Sequence, residues 1–141
     1  MNYLSKSEKE TTALAKQFVA SLKAGETVGL IGELGAGKTA FVKGVAKALR
    51  IKQRVNSPTF VLMRVYKVAK HSSIKHLVHV DAYRLHKAAS LSAIGLDDYI
   101  EDPSSLVLIE WADRVKAIMP KKAIVIRFKH TASGRRITLP L

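Results

Sequence analysis

The eight residues GELGAGKT, positions 32–39, constrain the fold of this chain more than any other stretch. The phosphate-loop pattern G-x-x-x-x-G-K-[ST] is satisfied by Gly32, Gly37, Lys38 and Thr39. Such a loop wraps an anion with backbone N–H groups at the positive end of a helix, and side chains larger than hydrogen would obstruct it. The apolar TVGLI before the loop is typical of a buried strand, and AFVKGVAKALR after it is typical of an amphipathic helix. The stretch therefore predicts a strand, a loop and a helix that together hold a phosphate group.

The lysine and threonine that close the loop indicate which ligand it takes. Lys38 would place a cation between the outer phosphates of a nucleotide, and the Thr39 hydroxyl would ligate a bridging magnesium ion. The N-K-x-D block that reads guanine occurs nowhere in the chain, which favours ATP over GTP. We therefore expect ATP and Mg²⁺ as cofactors.

The remaining sequence has the pattern of one α/β domain. Ser7 and Glu10 form a capping-box pattern ahead of an amphipathic helix that is expected to end by Gly25. Further strands are predicted at FVLMRVYKV, HLVHVD and LVLIE, a short helix at HKAASLSAIG, and a C-terminal hairpin from AIVIRF and RRITL with Gly134 in its turn. The length of 141 residues suits a single domain over residues 1–141. The predicted fold is α/β, a P-loop NTPase-like domain with a central sheet and flanking helices.

Two carboxylates follow predicted strands at the point where each strand ends. Asp81 closes HLVHVD and Glu110 closes LVLIE. Because α/β sheets bind ligands at the carboxyl edge of their strands, we expect both acids beside the phosphate loop, where they would organise the metal ion and the attacking water. The Thr59 hydroxyl of NSPTF would sense the terminal phosphate or form an ordinary turn hydrogen bond. The residues leave open whether Asp81 acts as a base, a water-mediated metal ligand or a nucleotide sensor.

The charge distribution indicates an anionic partner. The net charge is +13, and ten Lys and Arg but no carboxylate lie between Glu33 and Asp81. A surface that meets RNA or an acidic protein would explain this imbalance. For individual residues such as Lys43, Lys47 and Arg50, the alternative is the solvated face of a helix.

Several classes of protein are excluded or disfavoured by what the sequence lacks. There is no cysteine, so disulfides, thiolate metal sites and cysteine nucleophiles are excluded. No apolar run approaches the length of a membrane span, and MNYLSKSEKE has no apolar signal core. These features predict a cytoplasmic protein that makes no membrane contact.

Five blocks of sequence resemble a known family. GELGAGKT, NSPTF, HVDAYRL, GLDDY and LIEWAD, in this order and over nearly the whole chain, resemble the TsaE (YjeE) family. Members of that family are the small ATPase subunit of the bacterial machinery that makes threonylcarbamoyladenosine beside the tRNA anticodon. The resemblance implies weak ATP hydrolysis by the isolated subunit, which resets a threonylcarbamoyltransferase complex containing TsaD-type and TsaB-type subunits. Whether the basic surface meets tRNA or an acidic partner protein stays open.

The resemblance also implies roles for individual residues. Thr39 and Glu110 match metal ligands, while Asp81, Glu110, Lys38 and Thr59 match residues needed for catalysis. The residues expected to contact the nucleotide are Thr11, Glu33, Leu34, Gly35, Ala36, Gly37, Lys38, Thr39, Ala40 and Arg135. Glu33 stands where the family usually has Asp, and Ala40 where Thr is frequent, although neither departure removes a residue of the phosphate-loop pattern.

Two other functions fit the same loop. A small-molecule or nucleoside kinase transfers phosphoryl groups with this loop, but it must also bind and cover an acceptor. The chain shows no obvious lid insertion, and its only arginine cluster is SGRR. A basic RNA-binding module whose nucleotide site only stabilises the fold is the non-enzymatic alternative. It would bind RNA with a steep salt dependence and show no turnover.

Overall fold

The computed structural model describes residues 1–56, 63–83 and 95–140. The strands are β1 (Asn2–Ser5), β2 (Thr27–Gly32), β3 (Met63–Lys67), β4 (His76–Asp81), β5 (Ser105–Glu110), β6 (Ile124–Thr131) and β7 (Gly134–Thr138). The helices are α1 (Glu8–Val19), α2 (Lys38–Ala48), α3 (Leu96–Glu101) and a 3-10 segment (Ala112–Ile118). Three predictions lie wholly or partly outside the described residues: Thr59 with its NSPTF block, the start of FVLMRVYKV and most of HKAASLSAIG.

The described strands form one sheet in the order β1-β7-β6-β2-β5-β4-β3. Its centre is parallel, because β2 pairs with both β5 and β6 in this sense and β5 pairs with β4. Antiparallel strands complete both edges. This topology confirms the predicted α/β class and the C-terminal hairpin, and Gly134 is the last residue of the hairpin's four-residue turn. The strands run up to Thr131 and Gly134, which pair across the turn at positions 132 and 133.

The central strands are buried on both faces, as their near-continuous apolar sequences require. All six residues of β5 are buried. Because side chains alternate along a strand, Leu106 and Leu108 join the core beneath α1 and α2. Val107 and Ile109 join a second core, which α3 and the 3-10 segment cover. The sheet is thus the middle of three layers, with the phosphate loop's helix on the first face.

The N-terminal helix begins as predicted. The Ser7 Oγ accepts from the Glu10 N–H at 3.1 Å, and the Glu10 carboxylate accepts in return from the Lys6 N–H at 2.6 Å. This reciprocal pattern differs from a standard capping box only in using the N–H one residue earlier. The helix ends at Val19, so Leu22 contributes to the core from outside it. Within the described ranges, no helix combines the length and hydropathy needed to cross a membrane.

Candidate functional site

The loop between β2 and α2 has the backbone shape that its glycines predict. Gly35 and Gly37 have φ angles of 75° and 106°, in the left-handed region that favours glycine. Gly37 is the N-cap of α2 and has no side chain that could occupy the end of the helix. The first turn of α2 therefore opens directly onto the loop, which is the arrangement that binds anions.

A cavity of about 440 Å³ lies at this loop. From the predicted nucleotide contacts, its wall includes Leu34, Gly35, Gly37, Lys38, Thr39, Ala40 and Arg135. Asp81 and Glu110 complete the wall from the carboxyl ends of β4 and β5. The structure thus brings the loop, the C-terminal arginine and both strand-end acids to one cavity.

Lys38 is held inside the loop. Its side chain is only 4% exposed, and its Nζ donates to the carbonyl oxygens of Gly32 at 2.5 Å and Glu33 at 2.7 Å. The ammonium also lies 4.1 Å from the centroid of the Trp111 ring. Burial lowers the pKa of Lys38, and the negative charges of Glu110, Asp113, Asp81 and Glu33 oppose this shift in part. A desolvated cation with neutral acceptors is well placed to exchange them for phosphate oxygens.

Glu110 is the polar centre of the site. It is 3% exposed, and its Oε1 accepts from the Thr39 hydroxyl at 2.8 Å. Its Oε2 lies 2.5 Å from His79 Nε2. The carboxylate therefore joins α2, β4 and β5 at the point where the phosphate loop ends.

His79 is a residue that sequence reasoning missed. It is fully buried on β4, two positions before Asp81 and on the same face of the sheet. The signal was available, because a histidine inside an otherwise apolar buried strand needs a polar partner. The sequence alone could not show that this partner is Glu110.

The two strand-end carboxylates lie at the phosphate loop, as expected, and are also neighbours of each other. Asp81 and Glu110 are register partners in the parallel pair of β4 and β5. Asp81 is 7% exposed, and its Oδ1 accepts from the Tyr83 N–H at 2.9 Å. This bond closes a local turn that fixes the carboxylate at the cavity wall.

The oxygen atoms at this point fit a magnesium ion. The Thr39 hydroxyl gives its hydrogen to Glu110, which leaves the lone pairs of the hydroxyl oxygen for a cation. Magnesium prefers such oxygen ligands and is commonly held by one or two protein groups together with substrate phosphates. The described ranges contain no group of three His, Asp or Glu residues that could hold a metal without a nucleotide. Thr39 and Glu110 as metal ligands stay a prediction that this donor set supports.

Trp111 lies on the rim of the cavity in a strained backbone conformation. Its φ of 60° and ψ of 40° are left-handed, which is uncommon for a bulky residue. The ring lies 4.9 Å from that of Tyr83, and the Arg114 guanidinium lies over both rings at 5.2 and 5.4 Å. These contacts hold the indole beside Lys38.

Three predicted nucleotide contacts lie away from the cavity wall. Thr11 is fully buried behind the loop, with its hydroxyl 2.7 Å from the Ser5 hydroxyl. Ala36 is buried within the loop, and Glu33 is exposed on the side that faces a separate cavity. A direct contact between these residues and a nucleotide therefore stays a prediction without support from their positions.

The sheet has a parallel centre, a glycine loop follows β2 at its carboxyl end, and a helix starts inside that loop. These features define a P-loop NTPase-like fold. The family model described as threonylcarbamoyl adenosine biosynthesis protein TsaE matches residues 5–137. The chain therefore belongs to the TsaE family.

Relatives from several bacteria agree with this assignment. A protein named tRNA threonylcarbamoyladenosine biosynthesis protein TsaE in Bacillus subtilis (strain 168) is 36% identical over 127 residues, covering 90% of this chain and 76% of that protein. The protein of the same name in Treponema pallidum is 35% identical over 136 residues, or 96% of each chain. The crystal structure of Bacillus subtilis YdiB matches with a TM-score of 0.80 and 31% identity, covering 99% of this chain and 83% of that one.

Proposed function

We propose that this chain is a Mg²⁺-dependent, weakly hydrolysing ATPase required for forming threonylcarbamoyladenosine beside the anticodon of tRNA. Its hydrolysis would reset a threonylcarbamoyltransferase complex that contains TsaD-type and TsaB-type subunits. The names of the relatives support the pathway. The observation that most supports ATPase activity is the hydrogen bond of 2.8 Å between Thr39 and Glu110, because it joins the phosphate loop to a strand-end carboxylate.

The residues of the loop would bind and orient ATP. Lys38 would leave the carbonyls of Gly32 and Glu33 for phosphate oxygens, since an anionic acceptor stabilises a buried ammonium more than a neutral one does. The N–H groups in the first turn of α2 would donate to the same phosphates. Arg135, which also lines the cavity, would supply a further cation.

The strand-end acids would organise the reacting end of the nucleotide. Thr39 and Glu110 would hold the magnesium ion, which neutralises charge on the outer phosphates when bound. Asp81 lies beside Glu110 and would orient the attacking water or hold the ion through a water molecule. Thr59 is assigned to this step through its match to the family's S-P-T threonine.

The basic surface would meet tRNA. Lys43, Lys47, Lys52 and Arg54 line a groove of about 350 Å³. This groove adjoins the nucleotide cavity, because Glu8 and Lys43 line both. Among the described residues, none forms a hydrogen bond or an ion pair with these four basic side chains. We assign tRNA as the partner, since uncompensated cations along a groove suit a phosphate backbone.

ATP binding and hydrolysis by two variants test the site. Lys38→Ala should weaken ATP binding at least about tenfold, because it removes a charged hydrogen-bond donor to phosphate. Glu110→Ala should retain measurable binding and lose Mg²⁺-dependent hydrolysis. Lys47→Ala is the control, since Lys47 is exposed on the same helix and outside the nucleotide cavity. Wild-type ATP affinity in the Lys38 variant would refute the assignment.

A further inference from the structure

His79 is a polar residue buried among apolar side chains of the sheet. On the face of the sheet beneath α1 and α2, β4 and β5 present two paired rows: Leu77, His79 and Asp81 beside Leu106, Leu108 and Glu110. His79 is fully buried, whereas Asp81 and Glu110 lie at the cavity. A polar ring at this depth costs free energy unless it is hydrogen-bonded.

Among the described residues, the hydrogen-bond partner of the His79 ring is Glu110. An ionised carboxylate only accepts, so His79 Nε2 carries the hydrogen and donates it to Glu110 Oε2. In the neutral ring, Nδ1 is then an acceptor, and it has no partner among the described residues. Within the described part of the chain, the ring therefore makes no hydrogen bond other than the one to the Glu110 carboxylate.

Each of the two oxygens of Glu110 is hydrogen-bonded to a different element. Thr39 of the phosphate loop donates to Oε1, and His79 of β4 donates to Oε2. Rotation of the carboxylate about its last side-chain bond would break both bonds at once. With His79 in place, Oε1 is therefore directed at the Thr39 hydroxyl that would also bind the metal ion.

We propose that His79 is a positioning residue that fixes the Glu110 carboxylate for the metal and Thr39. This inference rests on the proposed function, because it assigns His79 to the same nucleotide and metal site. His79 does not line the cavity, and it acts through Glu110. Partners of this kind orient a metal-binding group, and their loss typically weakens metal affinity by about tenfold to 100-fold.

A matched pair of substitutions separates positioning from packing. Gln and Met have similar length and volume, but only Gln can donate a hydrogen bond from the place of Nε2. We would measure how the Mg²⁺ concentration changes ATP binding, using the fluorescence of Trp111, the only tryptophan. Thermal unfolding of the nucleotide-free protein would be recorded beside it, because a purely structural role would change only that temperature.

The proposal predicts a split between the two variants. His79→Met should weaken the apparent Mg²⁺ affinity by about tenfold or more, and His79→Gln should stay within about threefold of the wild type. When Glu110 is first changed to Gln, His79→Met should have no further effect on Mg²⁺. Normal Mg²⁺ affinity in His79→Met, or equal losses in the Met and Gln variants, would overturn the proposal.

A third variant keeps the test decisive if His79→Met does not fold. Asn carries the same amide as Gln on a side chain one methylene shorter, so His79→Asn should lose Mg²⁺ affinity while His79→Gln keeps it. Equal affinities in these two variants would overturn the proposal. A wild-type protein that binds no ATP would refute the proposed function and this inference together. Normal ATP binding by the wild type with normal Mg²⁺ affinity in His79→Met would refute only the inference.

Discussion

Four of the buried charged or titratable side chains gather at one edge of the sheet. Lys38, His79, Asp81 and Glu110 are all at most 7% exposed. Burying such groups is costly, and a chain selected only for stability would place apolar residues there. Their concentration at the phosphate loop is therefore best explained by the chemistry proposed for that loop.

Asp81 offers a test at the scale of one residue. Asp81→Asn keeps the oxygen that accepts from the Tyr83 N–H but removes the charge. We expect ATP hydrolysis to fall by about 100-fold, as for a general acid–base or water-orienting group, with ATP affinity largely kept. Asp98→Asn, an exposed change on α3, is the control. Hydrolysis at the wild-type rate in the Asp81 variant would remove this residue from the mechanism.

Residues of the candidate site could be predicted from the sequence where a short motif or the end of a strand identifies them. The loop lysine and threonine follow from the spacing of the phosphate-loop pattern, and both strand-end acids follow from the position of their strands. His79 and the place of Thr11 behind the loop did not follow. The role of His79 depends on a contact between β4 and β5, which are far apart in sequence, and the place of Thr11 depends on how α1 packs against β1 in three dimensions.

At the scale of elements, α2 is positioned by its close contact with α1. A Cβ atom added at Gly44 would lie 2.6 Å from Ala15 Cβ and 2.8 Å from the Thr12 carbonyl oxygen. The two helices can approach this closely only because residue 44 is glycine. Since α2 begins at Lys38, this contact also fixes the angle at which the helix meets the loop.

Gly44→Ala tests that contact. The gain in helix propensity is about 1 kcal/mol, and overpacking costs about 1 to 3 kcal/mol, so overpacking should win. We expect a lower free energy of unfolding in urea and weaker ATP binding. Lys43→Ala, at an exposed position on the same helix, should change the stability little. A Gly44→Ala protein as stable as the wild type would show that the helices do not pack as described.

A second element, the turn before β5, should make stability depend on pH. Hydrogen bonds from the Ser105 hydroxyl and from the N–H and hydroxyl of Ser104 lower the pKa of Asp102. A carboxyl group whose pKa is depressed in the folded state stabilises the protein above its unfolded pKa of about 4. This contribution is lost as the pH falls through the lower folded value.

The measurement is urea unfolding at several pH values. Between pH 5 and pH 2, the wild type should lose more stability than Asp102→Asn, which has no carboxyl group to protonate at this position. An equal loss of stability in the two proteins across this range would contradict the proposed hydrogen bonding of the turn.

Helices and strands with strong periodicity or strong turn signals could be predicted from the sequence, whereas the edge strand β1 could not. The core strands β2, β4 and β5 and helices α1 and α2 lie where the sequence indicates them. β1 was missed because Asn2–Ser5 is short and half exposed, and it becomes a strand only by pairing with β7. The register that places Asp81 beside Glu110 also arises from the sheet as a whole.

At the scale of the whole molecule, the structure shows where part of the excess basic charge lies. The net charge was visible in the sequence, but the groove that joins four basic side chains to the nucleotide cavity was not. It arises because α2 and the segment after it meet beside α1. A polyanion in this groove would lie next to the bound nucleotide, so the two ligands could influence each other.

Charge reversal tests the groove. Lys47→Glu with Arg54→Glu should weaken tRNA binding and reduce the slope of log affinity against log salt by about two. Lys121→Glu with Lys122→Glu is the control, because it changes the charge equally in the exposed turn before β6, outside the groove. ATP binding should be unchanged in both. Equal loss of tRNA binding in the two double variants would show that only the net charge matters.

The most direct test of the account is ATP hydrolysis by the purified protein under four conditions. These are the protein alone, with tRNA, with the TsaD-type and TsaB-type subunits, and with all of them together. The account predicts slow turnover by the isolated chain and strong stimulation when the partner subunits are present, with no stimulation of the Lys38→Ala variant. The same turnover with and without the partners would contradict the central claim that this chain is a partner-dependent ATPase.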